Sequence, residues 1–88
     1  MNIVWTGQFK KDYRRSKKQH KDMTALCSIL DRLLEGEPLS PRHRDHSLSG
    51  EWKNHRECHI TPDWLLIYRV EGKDLILERM GSHSELLK

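Results

Sequence analysis

No apolar stretch in this chain approaches the roughly 20 residues needed to cross a bilayer, so a transmembrane anchor is excluded from the reading. The opening MNIVWTGQFKK lacks the basic region, apolar region and small-residue cleavage site of an export signal, and a cytoplasmic location is expected. Cysteine is scarce: Cys27 and Cys58 stand alone, their spacing rules out a CxxC-type metal site, and both read as free, buried thiols. There is no Gly-rich phosphate loop, no GxSxG, no HExxH, no internal repeat and no low-complexity tract. Nucleotide-binding loops, serine hydrolases and zinc proteases of the familiar kinds are thereby set aside.

What is present is charge. One third of the 88 residues are Asp, Glu, Lys or Arg, with a net charge of +3. Its distribution is uneven. Residues 10–21 hold Lys10, Lys11, Arg14, Arg15, Lys17, Lys18 and Lys21 against the single acid Asp12, so this block is +6 and the rest of the chain −3. Such a block suggests one cationic face that meets a polyanion. The apolar residues, 35% of the chain, fall in periodic runs, which points to a single small folded domain over residues 1–88.

Asn2–Trp5 reads as a first strand, with Thr6 as a helix N-cap. Phe9 and Tyr13 lie four apart on one face of a helix from Gln8 to about Lys18, whose exterior is basic. Asp22 caps a second helix, in which Met23, Leu26, Cys27, Leu30, Leu33 and Leu34 recur with helical period. Gly36 closes it, and Pro38 and Pro41 prevent continuation. Residues 37–51 read as a loop with a short extended piece near Asp45–Leu48. From Trp52 the period changes to two, placing Lys53, His55, Glu57 and His59 on one strand face. Trp64–Val70 reads as a central strand, Glu71-Gly72-Lys73 as a hairpin turn and Asp74–Met80 as the last strand. The order β-α-α-β-β-β predicts an α+β two-layer domain, with a helical hairpin on a mostly antiparallel sheet and the histidine-bearing face left open.

Six histidines lie beside carboxylates and arginines, and together they fit metal-free RNA cleavage. A histidine can take the proton from a ribose 2′-hydroxyl and another can protonate the departing 5′-oxygen, while cations stabilise the phosphorane. A metal site built from His55, Glu57 and His59 is the weaker alternative, since alternating strand positions do not by themselves close a ligand shell.

The segments DHSLSGEWK, RECHITPDWLLIYRV and LERMGSHSELL follow the patterns DHxLxGxWK, R(D/E)xHxxPDWxLIY and ER-x-G-(S/T)-H. In these, and in GQFKKD and HKDM, almost the whole chain resembles the YafQ type of the RelE/ParE toxin superfamily. The resemblance implies a RelE-like fold and a ribosome-dependent mRNA endoribonuclease of a type II toxin–antitoxin pair, cutting in the ribosomal A site with no metal or cofactor. It implies the catalytic residues His46, His59, Asp63, His83 and Glu57, with Arg79 on the phosphate. Asp63 or His46 is then the base, His83 the acid, and His59 orients the phosphate. Lys10, Lys11, Arg14, Arg15, Lys17, Lys18, Lys53 and Arg56 are expected to contact mRNA or ribosome. Leu87 stands where relatives can carry an aromatic that stacks on a base. Expected partners are an acidic antitoxin, the ribosome and mRNA, with operator DNA met only through the antitoxin complex and no membrane. The ParE branch supplies the rival reading, a non-catalytic inhibitor of DNA gyrase.

Overall fold

In the computed structural model, which describes residues 1–86, the chain forms a five-stranded sheet with two helices against it. The elements are β1 (Asn2–Trp5), α1 (Gly7–Lys18), α2 (Met23–Leu34), β2 (His46–Ser47), β3 (Arg56–Thr61), β4 (Trp64–Glu71), β5 (Asp74–Gly81) and a one-turn α3 (His83–Leu86). Single turns of 3₁₀ helix at Pro41–His43 and Gly50–Trp52 interrupt the long connection between α2 and β3. The spatial order is β1-β5-β4-β3-β2, with β1 parallel to β5 and every other pair antiparallel. The α+β reading and the mostly antiparallel sheet are therefore observed.

Each helix begins as its sequence suggests. Thr6 Oγ1 accepts from Phe9 N at 3.1 Å and donates to Leu77 O at 3.0 Å, so the same hydroxyl caps α1 and ties it to β5. Asp22 accepts from Thr24 N and Ala25 N at the start of α2. Gly36, at φ 71°, reverses the chain after α2 while Glu37 N donates back to Arg32 O. Replacing Thr6 by Ala removes a cap and a tether together. The expected loss is about 1–2 kcal/mol, roughly 5–15 °C in Tm for a domain of this size, and Thr6→Ser should restore most of it in a thermal melt.

The core lies between the helices and one face of the sheet. Phe9, Leu26, Ile29 and Leu30 meet Cys58, Ile60, Trp64, Leu66, Tyr68, Leu75, Leu77 and Met80 there. Burial pushes the Cys58 thiol up to about 12, which suits an unreactive packing group. Cys27 is exposed rather than buried; it sits beside Leu26 on α2 but off the stripe that faces the sheet. The opposite sheet face is less open than its sequence suggests. Leu65 and Ile67 on that face are completely buried, so the polar side chains around them form a layer rather than a bare surface.

Both ends of the sheet are finished by side chains. Strand β1 pairs with β5 only as far as Trp5 and Leu77. Beyond it, Met80 N donates to Asp12 Oδ2 at 3.0 Å and Met80 O accepts from Arg15 Nη2 at 2.7 Å. On the other side β2 pairs only with Arg56 and Glu57. Past that point His59 O accepts from His43 Nδ1 at 2.7 Å. Edge amides and carbonyls that would otherwise be free are thus satisfied from the helical layer and the connecting loop.

The strand expected from Trp52 begins only at Arg56. Trp52 closes a 3₁₀ turn, and Asn54 takes a positive φ of 69°, so Lys53 and His55 belong to a turn and do not share the strand face of Glu57 and His59. Gly50, with φ 67°, initiates that turn, a conformation a run of alternating residues cannot anticipate.

Candidate active site

Strand register builds the site. His46 pairs with Glu57, Glu57 with Ile67, and Ile67 with Arg79, so these four residues form one row across β2, β3, β4 and β5. Two residues farther along β3, on the same side, His59 pairs with Leu65 and Leu65 with Gly81. Immediately after β5 comes His83. Its ring centroid lies 5.4 Å from that of His59.

A capping box holds His83 in place. Ser82 N donates to Glu85 Oε1 at 2.8 Å, while Glu85 N donates to Ser82 Oγ at 3.3 Å, so the S-x-x-E of residues 82–85 fixes the first turn of α3. Glu85 is in turn paired with Arg15 at 3.1 Å. A Cβ at Gly81 would fall 2.6 Å from Arg15 Nη2, so glycine is what lets this clamp reach the strand.

The histidines share one arrangement. His46 Nδ1 donates to Arg44 O at 2.6 Å, and His59 Nδ1 to Pro62 O at 3.2 Å. His83 Nδ1 donates to Asp63 Oδ1 at 2.9 Å, and His83 N donates to the same oxygen at 3.2 Å. Because a carbonyl or carboxylate oxygen only accepts, Nδ1 carries the proton in each ring, and Nε2 makes no hydrogen bond among the described residues. His55 differs. Its Nδ1 is bound to Lys53 O, its Nε2 lies 3.1 Å from Glu78 Oε2, and Trp52 packs edge-on against the ring. Both nitrogens are used, so His55 is structural. Glu78 also accepts from Arg69; although its burial acts in the other direction, the His55 and Arg69 hydrogen bonds hold its carboxyl below the usual range.

The acids divide in the same way. Asp63 is exposed, and the hydrogen bonds from the His83 ring and backbone hold its carboxyl below the ordinary value. An acid so held is a poorer base and a better orienter of His83. Glu57 is buried; Oε1 lies 3.6 Å from His46 Nε2, and Oε2 has no hydrogen-bond partner among the described residues. Glu57 thus sets a buried carboxylate beside the His46 ring. Asp45 was not expected in the site. It accepts from Tyr68 Oη at 2.7 Å and from Arg56 Nε at 3.2 Å, anchoring the loop that ends in His46.

The arginines are more occupied than their sequence suggests. Arg79 donates through Nε to Asp12 Oδ2 at 2.8 Å and through Nη2 to Asp12 Oδ1 at 3.4 Å. Asp12, the lone acid of the basic helix, is completely buried at the junction of α1 and β5. Arg15 is half-buried and committed to Asp12, Glu85 and Met80 O, so it is an internal clamp rather than part of the outer cationic face. Lys10, Lys11, Arg14, Lys17 and Lys18 are exposed along α1, as are Lys53 and Arg56 nearer the site, with Arg56 paired to Asp45. Leu87 lies outside the described residues.

All 88 residues match the family described as bacterial toxin of type II toxin-antitoxin system, YafQ. The chain belongs to the YafQ toxin family. It is 41% identical over 86 residues to the mRNA interferase toxin YafQ of Escherichia coli, an alignment covering 97% of this chain and 94% of that protein. Among solved structures, the copper-bound mutant toxin from Helicobacter pylori superposes with a TM-score of 0.95 at 41% identity over 99% of both chains. YafQ in the E. coli DinJ–YafQ complex superposes with a TM-score of 0.91 at 40% identity, over 99% of this chain and 98% of that one. The YafQ assignment drawn from the sequence motifs is thus confirmed, and with it the RelE-like architecture. Among the described residues no helix is long and apolar enough to cross a membrane.

Proposed function

We propose that this YafQ-family toxin is an endoribonuclease that cuts mRNA in the ribosomal A site by general acid–base chemistry. The observation that carries this reading is the common arrangement of His46, His59 and His83, each with Nδ1 tied to an oxygen and Nε2 making no hydrogen bond among the described residues. His46 Nε2 removes the proton from the ribose 2′-hydroxyl, and the resulting imidazolium is balanced by Glu57. The 2′-oxygen attacks the adjacent phosphorus, forming a cyclic phosphate as the bond to the 5′-oxygen breaks. Protonated His83, oriented by Asp63, gives its Nε2 proton to that departing oxygen. His59, next to His83, and Arg79, whose fork on Asp12 leaves Nη1 for a phosphate oxygen, stabilise the charge between them. The exposed lysines and Arg14 of α1 meet ribosomal RNA phosphates. An acidic antitoxin that covers this cationic surface neutralises the toxin, and the antitoxin carries any contact with operator DNA.

Induced expression should stop incorporation of labelled amino acid before that of labelled thymidine, and primer extension on translated mRNA should reveal discrete cuts. Early loss of DNA synthesis without cuts would instead support a gyrase inhibitor, and cuts lost on stripping transition-metal ions from the toxin, with Mg²⁺ kept at the level ribosomes need, would replace the acid–base scheme with a metal mechanism.

A further inference from the structure

Beside the histidines, where β3 runs past the end of β2, a cavity of about 450 Å³ opens between α2 and the Pro41–His43 turn. Its walls include Ser28 of α2, Arg42 and His43 of the turn, and His59, Thr61 and Pro62 at the end of β3. A volume of this size falls within the roughly 300–1,000 Å³ range of small-ligand pockets and admits a purine or pyrimidine ring. We infer that this cavity is a subsite for one base of the RNA substrate, next to the cleaved linkage, and that it contributes to the choice of cut site. The inference rests on the endoribonuclease reading and deepens it.

Three observations favour an RNA base over other occupants. The cavity adjoins the site, because His59, whose ring stands beside that of His83, is also one of the residues lining it. A strand whose phosphate lies between those histidines therefore carries its flanking base to the mouth. The wall is chemically suited to a base edge. His43 Nδ1 must hold its proton to donate to His59 O, which makes Nε2 of the neutral ring an acceptor, and the hydroxyls of Ser28 and Thr61 can donate or accept. Single-stranded RNA is read in this way, by splaying a base into a recess and hydrogen-bonding its edges. The charge is also complementary. Arg42 is exposed and lines the cavity, and a guanidinium there suits the phosphate that accompanies the base. A second cavity of about 310 Å³ shares Ser28, Arg42 and His43 with the first, giving the strand a path onward beneath α2.

The test uses full-length toxin in a translation extract programmed with an mRNA of known sequence, cut sites being mapped by primer extension. Ser28→Leu fills the cavity from an exposed helical position, and Arg42→Ala removes the cation lining it; thermal melts confirm that both variants fold. The wild type should cut a reproducible subset of codons. Ser28→Leu should change the relative use of those sites by about tenfold, the scale of one base-edge contact, and Arg42→Ala should lower cutting at all of them. Identical site distributions and rates for folded variants and wild type overturn the subsite. Unchanged cutting combined with lost neutralisation by the cognate antitoxin also overturns it and assigns the cavity to protein. A wild type that cuts nothing defeats the nuclease reading itself, and that failure is visible before any variant is compared.

Discussion

His83→Ala should reduce mRNA cleavage by about 10²–10⁴-fold, the range for losing a general acid, with a Tm within a few degrees of the wild type. The side chain is about half exposed and lies outside the core, bonded to Asp63 and beside the His59 ring. His46→Ala should cost a similar factor, and the double variant should fall little further, because acid and base act in one step. Asp63→Asn separates the assignments. If Asp63 only orients His83, the amide retains an acceptor for Nδ1 and activity falls less than in His83→Ala. If Asp63 were the base, the two losses would match. The hydrogen bonds from His83 hold the carboxyl of Asp63 low, so its charge persists below the usual carboxylate range, and the stability it contributes is full above that range and is lost as pH falls through the depressed folded value. Stability and orientation contributed by the pair are accordingly present at neutral pH and disappear in acid. The assay is single-turnover cleavage on programmed ribosomes; full activity of both histidine variants would end the proposed mechanism.

Asp12→Ala should be the most destabilising single change outside the hydrophobic core. It leaves the Arg79 guanidinium, half-buried Arg15 and the buried Met80 amide without their common acceptor. Removing one partner of a buried ion pair costs about 3–5 kcal/mol, roughly 12–30 °C in Tm at this chain length. Asp12→Asn keeps an acceptor for Met80 N but loses the charge, and should fall between. Denaturation in urea would show this directly, and an Asp12→Ala midpoint equal to that of the wild type would mean the network contributes nothing.

Much of this architecture was legible in the chain itself. Thr6, Asp22 and Gly36 announce the ends of the helices because capping is local, and the Leu26–Leu34 stripe announces its buried face because period is local. The family motifs single out His46, His59 and His83, and strand register sets His59 beside His83 and His46 beside Glu57. What escaped was set by register and tertiary contact. Asp12 looks like a stray acid among lysines, and only the approach of β5 makes it a buried acceptor for residues 67 and 68 positions away. Arg15 and Arg79 look like free cations in the sequence for the same reason. Trp52–His55 alternates like a strand, yet positive φ at Gly50 and Asn54 folds it into turns and takes His55 out of the chemistry.

The parallel pairing of β1 with β5 has a bearing on how the protein is made. Thr6 and Leu77, 71 positions apart, must meet before α1 is anchored, and β5 leads directly into Ser82, His83 and Glu85. During synthesis the first strand therefore waits for the last one, and loop closure over that distance is slow relative to local helix formation. His46, His59 and Asp63 are synthesised before His83, so the His59–His83 and Asp63–His83 contacts form only once β5 has docked.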